Sequence, residues 1–302
     1  MHDIIIVGGG PAGLTAAIYA LRAGKTVLVI EKNGFGGQIA FSPKVENIPG
    51  TQLISGAAFA DQLTEQAMAL GADVELEKVL QVEKTGEGFL VHTEEGSAYA
   101  GRAVILAVGV KHRTLGLPGE MELIGNGISF CAVCDGAFYA GQEVAMIGGG
   151  NSALQEALLL SEVCSKVTVV HNLADFTGEK KLSQALMEKK NVQAFFNTVV
   201  IGYEAGESGL TGLRLRNEQT GEESAIAVDG AFLAVGLMPE NEPFAPLANL
   251  NAWGYFDSGE DCRTETEGVF VAGDCRSKTI RQVVTAASDG AVAAMAACRY
   301  LD

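Results

Sequence analysis

Cys131-Ala132-Val133-Cys134 is the only Cys-x-x-Cys pair in the chain, and an acid, Asp135, follows the second cysteine directly. Two thiols at that spacing close a small disulfide ring and reopen it. If the pair opens a helix, the N-terminal dipole lowers a thiol's pKa and favours the thiolate, the species that attacks a disulfide. Half of a zinc site, or two ordinary buried cysteines, would show the same spacing. Zinc wants four ligands, and the sequence has no second Cys-x-x-Cys or His-x-His pair; Cys164, Cys262, Cys275 and Cys298 each stand alone. Redox chemistry without a metal is the reading these residues favour.

The elements that position such a pair must come from a chain of 302 residues, long enough for two domains with cores of their own. Hydrophobic residues make up 48% and charged residues 19%, the profile of a folded soluble protein. Six cysteines are too few for a disulfide scaffold of this size, which points to a reducing, cytoplasmic setting. A net charge of -16 argues against nucleic acid and anionic membrane as partners. Ile4 to Leu21 carries no charge over 18 residues, but Gly8-Gly9-Gly10-Pro11 and Gly13 interrupt it and no basic segment precedes it. That pattern predicts a strand, a glycine turn and a helix, not a membrane span or a leader.

Asp3 to Val7 is an apolar run suited to a central parallel strand, and Gly8-x-Gly10-x-x-Gly13 follows at once. Leu14 to Arg22 has helical spacing, and a second strand, Lys25 to Ile30, ends at Glu31. Each part serves a dinucleotide: glycines admit a pyrophosphate, the helix N-terminus supplies N–H donors, and the terminal acid accepts from ribose hydroxyls. The paragraph is written twice. Val144 to Ile147 leads into Gly148-Gly149-Gly150-Asn151-Ser152-Ala153, a helical run from Leu154 to Leu160, and a strand from Lys166 to Val170. A third strand recurs as well, Ile105 to Gly109 and Phe232 to Gly236. The duplication predicts an α/β fold of two Rossmann-like dinucleotide-binding domains, the second inserted into the first and joined to it by two linkers. The predicted boundaries are 1–113 and 244–302 for the first domain and 114–243 for the inserted one, which carries the cysteine pair. Paired linkers would permit a hinge.

Over essentially its whole length the chain resembles the low-molecular-weight thioredoxin reductases. Cys131 to Gly136 matches their redox motif. Gly36-Gly37-Gln38 with Val45 to Gly50 is similar to their flavin-side loop, and Gly273-Asp274 with Arg281 to Ala287 to their C-terminal flavin motif. The resemblance implies FAD in the discontinuous domain, its pyrophosphate on the turn of Gly8, Gly10, Pro11, Ala12 and Gly13. It implies Asp274 at the ribitol, Gln282 beside the isoalloxazine and Asn47 nearby. Further contacts are expected from Glu31, Lys32, Gly37, Gln38, Val79, Ala107, Gly109, Gly273, Arg281 and Val283. Cys134 would face the flavin, Cys131 would attack the protein substrate, thioredoxin or a thioredoxin-like protein, and Asp135 would protonate the leaving thiolate. A homodimer is implied too.

One segment departs from the family's pattern. Members that use NADPH carry His-Arg-Arg-x-x-x-Arg after the second strand of the inserted domain, clamping the 2′-phosphate; the run here is His171 to Thr177, with Asn172, Leu173 and Thr177 in place of the arginines. A 2′-phosphate favours guanidinium forks, and residues 114–243 hold 7 Lys and Arg against 17 Asp and Glu. NADPH is therefore an unlikely donor. NADH fits poorly as well, because His171 stands where the first domain has Glu31, although Asp175 offers a substitute if its loop curls back. Ferredoxin is the first expectation, with Arg276, Lys278 and Arg281, or Lys180, Lys181, Lys189 and Lys190, as docking patches; a deazaflavin donor stays open. The rival activities are a dithiol oxidase and, outside catalysis, a redox-sensing flavoprotein.

Overall fold

The computed structural model describes residues 1–42, 45–207 and 209–302. β1 (His2–Val7), α1 (Pro11–Arg22) and β2 (Val27–Glu31) come first. α2 (Gly56–Ala69) crosses to β3 (Asp73–Leu76), and β4 (Val79–Thr85), β5 (Gly88–Thr93) and β6 (Ala98–Leu106) follow as a meander. After β7 (Val110–His112) come α3 (Glu120–Leu123), β8 (Ile128–Ser129), α4 (Ala132–Asp135), β9 (Glu143–Ile147) and α5 (Asn151–Val163). β10 (Lys166–Val170), α6 (Lys180–Met187) and β11 (Val192–Phe195) continue the alternation. A second meander, β12 (Thr198–Gly206), β13 (Gly209–Asn217) and β14 (Glu223–Ala227), precedes β15 (Gly230–Leu233). β16 (Leu237–Pro239), β17 (Val269–Val271) and α7 (Val283–Leu301) complete the chain.

The described residues divide into two compact units, 1–42 with 48–111 and 238–302, and 45–47 with 112–237. In the first, the sheet runs β3-β2-β1-β6-β5-β4, with β17 parallel to β6. Besides β1, β6 serves two further partners in two senses: Gly101 pairs antiparallel with Phe89, while Val104 pairs parallel with Val269. In the second unit the sheet runs β11-β10-β9-β15-β8, all parallel. β7 and β16 pair as a two-stranded ribbon.

β1 is central because Ile4, Ile5 and Ile6 are fully buried, which a strand covered on both faces requires. Small residues on α1 allow α7 to lie close: a Cβ on Gly290 would sit 2.1 Å from the Ala12 carbonyl oxygen. Both first helices begin earlier than the apolar spacing predicts, at Pro11 and Asn151, because the glycine turns themselves provide the caps, Gly10 and Gly150. β2 begins at Val27 rather than Lys25, whose N–H is still engaged with the α1 end at the Ala20 carbonyl.

Candidate active site

β8 delivers the chain to the cysteine turn, and Cys131 and Cys134 are joined by a disulfide with their Cα atoms 5.3 Å apart. Cys131 is the N-cap of α4, and its sulfur accepts the Cys134 backbone N–H at 3.2 Å. The pair thus opens a helix, though one of a single short turn. Both sulfur-bearing residues are half-buried, while Val133 between them is 58% exposed, so the turn presents its edge to solvent. Ser129, which the motif alone gives no role, holds the acid in place. Its hydroxyl donates to Asp135 Oδ2 at 2.6 Å and accepts the Cys131 N–H at 3.1 Å. Asp135 Oδ1 is buried without a partner among the described residues, and burial raises the carboxyl above the usual range. A proton held there lies within one turn of the thiol pair. His112 stacks on Phe130 at 4.6 Å, and burial pushes its pKa down to about 4, leaving a neutral ring beside the turn.

The first glycine turn is assembled from backbone. Gly8 takes φ +110°, and a Cβ there would meet the Ala107 carbonyl oxygen at 2.3 Å. On Gly13 a Cβ would lie 1.9 Å from the Gly8 oxygen, so helix and strand meet only because both positions are bare. α1 has Pro11 at its first position and no side-chain cap, leaving first-turn N–H groups for an anion. Gly37 faces Gly10, Gly36 donates its N–H to the Gly9 oxygen at 2.7 Å, and the Gln38 amide donates to the Val110 carbonyl. Glu31 stands where an acid is expected; Oε2 accepts the Gly9 N–H at 2.7 Å and Oε1 the Asn33 N–H at 3.0 Å. Lys32 is tied to Glu240, which also takes Lys111 at 2.6 Å. Val79 is buried at the head of β4, and Asn47 falls in the other unit.

The C-terminal motif joins this turn through Gly273, on which a Cβ would approach that of Ala12 to 2.8 Å. Gly109 is drawn in through its backbone contact with the Cys275 thiol. Asp274 Oδ1 is buried with no partner among the described residues, and burial holds its carboxyl above the usual range. Asp289 accepts the Gly273 N–H at 3.0 Å, Arg276 through two bonds at 2.8 and 3.1 Å, and Lys278 at 2.8 Å. Burial works against the Asp289 charge, but the two cations hold its pKa down. Arg276 and Lys278 therefore correct the sequence reading: they are interior ions bracing Gly273 and not a docking patch, with side chains 4% and 9% exposed. Arg281 lies over the Tyr255 ring at 4.5 Å. Gln282, with Val283 the first residue of α7, forms a capping box with Thr285. Of the second lysine group, Lys180 and Lys181 open α6, Lys189 pairs with Glu162 at 2.5 Å, and Lys190 is exposed.

At the second glycine turn Gly148 takes φ +135°, and Ala153, fully buried, occupies the place of Gly13. The His171 ring lies flat on Gly149, 2.6 Å from where a Cβ would stand. Burial lowers the pKa of the ring, and the Asp175 backbone partly offsets that. The following loop folds over the turn: Thr177 and Gly178 donate N–H to the Gly149 oxygen at 2.9 and 3.0 Å. Glu179 is strapped to Asn151 by bonds of 2.7 and 3.3 Å. Asn172, Leu173 and Asp175 are exposed, and the curl that would bring the Asp175 carboxylate into the place of Glu31 is not seen, since His171 holds it.

Residues 2–290 match the family model described as pyridine nucleotide-disulphide oxidoreductase. Among curated relatives, the bifunctional thioredoxin reductase/thioredoxin of Mycobacterium leprae is 42% identical over all of this chain, which spans 66% of that longer protein. The thioredoxin reductase of Bacillus subtilis is 39% identical, with 100% of this chain and 95% of that one covered. The crystal structure of thioredoxin reductase from Streptococcus pyogenes superposes with a TM-score of 0.94 at 35% identity, covering 100% and 98% of the two chains. With the doubled glycine turn and the closed cysteine pair beside a buried acid, these matches place the chain in the pyridine nucleotide-disulphide oxidoreductase family, as an enzyme of the flavoprotein disulfide oxidoreductase kind.

Proposed function

We propose that this enzyme reduces the disulfide of thioredoxin or a thioredoxin-like protein, with FAD as its resident cofactor and a donor other than NADPH. The carrying observation is the Cys131–Cys134 disulfide at a helix start, with Asp135 buried beside it on the Ser129 hydroxyl. The residues of the first unit suit FAD: a glycine cradle and uncapped helix start for a pyrophosphate, Glu31 for a ribose, and the partnerless Asp274 oxygen for a hydroxyl donor. FAD, when bound, supplies the electron pair that opens the disulfide, and Cys134 is the sulfur we assign to that exchange. Cys131 as thiolate then displaces one sulfur of the partner's disulfide, forming a mixed disulfide. Asp135 gives the departing thiolate its proton. Cys134 attacks the Cys131 sulfur and displaces the partner's sulfur from it, so that the partner leaves with two thiols while the Cys131–Cys134 bond closes again.

Support for the donor proposal comes from residues 171–179, where no guanidinium faces the second turn and a neutral imidazole covers Gly149. Ferredoxin is the donor class we favour, since a small acidic electron carrier suits the exposed Lys180, Lys181 and Lys190. The homodimer and the cytoplasmic location belong to the same proposal, carried by the resemblance. The test is anaerobic stopped-flow mixing of the oxidised holoenzyme with NADPH, NADH, reduced ferredoxin and a reduced deazaflavin. Fast flavin bleaching by ferredoxin alone is expected, and fast bleaching by micromolar NADPH would overturn the donor assignment. A Cys131→Ser enzyme should accept electrons but release no reduced thioredoxin; normal turnover by that variant would sink the division of roles.

A further inference from the structure

A second carboxylate reaches the cysteine turn from a helix the motif does not include. Glu156, on α5, accepts the Ala132 backbone N–H on its Oε2 at 3.1 Å. Ala132 is the first residue of α4 and 2% exposed, and its nitrogen is bonded to the carbonyl carbon of Cys131. The Cys131 sulfur takes the Cys134 N–H of the same turn. Unpaired N–H groups at a helix start stabilise a thiolate, and a carboxylate on one of them offsets that stabilisation. Asp135, Ser129, Tyr139 and the neutral His112 ring stacked on Phe130 are polar groups around the turn, and no Lys or Arg pairs with Glu156 among the described residues. Burial also pushes the Glu156 carboxyl up to about 7, so it shares a proton with solvent near neutrality.

We infer that Glu156 is a positioning residue of the thiol exchange, which sets the acidity of the opened Cys131 thiol by occupying the Ala132 N–H with a carboxylate. The inference rests on the disulfide-reductase reading of this pair. Held back in this way, the Cys131 thiol keeps its proton until a partner disulfide is at hand, rather than lying open as a thiolate to small oxidants.

The test uses the FAD-loaded enzyme in a Cys134→Ser background, which isolates Cys131, and follows its alkylation by iodoacetamide from pH 5 to 10 by mass. Glu156→Gln keeps an oxygen for the Ala132 N–H and removes only the charge. The apparent pKa of Cys131 should fall, giving several-fold more thiolate between about pH 7, above which the parent Glu156 is charged, and the transition of the thiol itself. Glu156→Ala, which removes the acceptor as well, should shift the profile in the same direction and further. An unchanged or raised pKa in either variant, with flavin absorbance and melting profile preserved, overturns the inference; so does a fall that Glu156→Ala shows and Glu156→Gln does not. Failure of the reductase reading looks different: the parent enzyme would reduce no thioredoxin-like disulfide with any donor while these profiles shifted as expected.

Discussion

At the first glycine turn a carboxylate meets the backbone, and at the second an uncharged ring does. Glu31 accepts the Gly9 N–H and keeps its remaining lone pairs for a ligand. His171, at the same place after β10, lies on Gly149. The backbones are near copies, with positive φ at Gly8 and Gly148 and bare caps at Gly10 and Gly150. What separates the two is the side chain that closes each strand and the loop behind it. The two turns thus share one backbone and differ in the groups they offer to a ligand.

The largest difference should appear where the copies diverge by one methyl group. Gly13→Ala drives a Cβ to 1.9 Å from the Gly8 oxygen, and we expect a loss of at least about 3 kcal/mol with a colourless product. Ala153→Gly, at the matching site, should cost only about 1 kcal/mol. Urea unfolding and flavin retention measure both, and equal losses would erase the packing distinction. Restoring the missing clamp is the next step: an Asn172→Arg, Leu173→Arg, Thr177→Arg enzyme should bind NADPH about 100-fold more tightly than the parent, read by fluorescence titration. No gain would mean that the His171 ring, and not the absent arginines, closes the second turn.

A smaller effect is expected from pH, again in the second unit. His112 is neutral in the folded protein down to about pH 4, whereas the unfolded chain takes up its proton below about 6.5. The resulting stability is complete above that value and drains away as pH falls towards 4. Between pH 7 and 5 the loss should reach about 2 kcal/mol at most, and His112→Phe should flatten it. A urea midpoint with the same pH slope in both proteins would refute the assignment.

The glycine turns, the acid at Glu31 and the cysteine turn were legible because their chemistry is local: each depends on residues within one supersecondary unit. The doubled pattern likewise marked β1 and β9 as the strands that lead into the two turns. Arg276 and Lys278 were misread as surface cations because their partner, Asp289, lies on α7 and only the fold brings it to them. Glu156 reads as one more charge on an amphipathic helix, since its contact is with a backbone N–H 24 positions away. Ser129 sits inside the motif, but a hydroxyl that bridges an acid and a main-chain donor has no sequence signature of its own.

The four cysteines outside the redox turn are all buried, and burial lifts the thiols of Cys164 to about 11 and of Cys262 and Cys275 to about 12, with Cys298 raised as well. The native enzyme therefore carries its own gauge of oxidation state. Brief labelling of intact protein should add two adducts to the fully reduced form and none to the oxidised form, so a single mass spectrum counts the fraction of molecules charged with electrons at any moment of turnover.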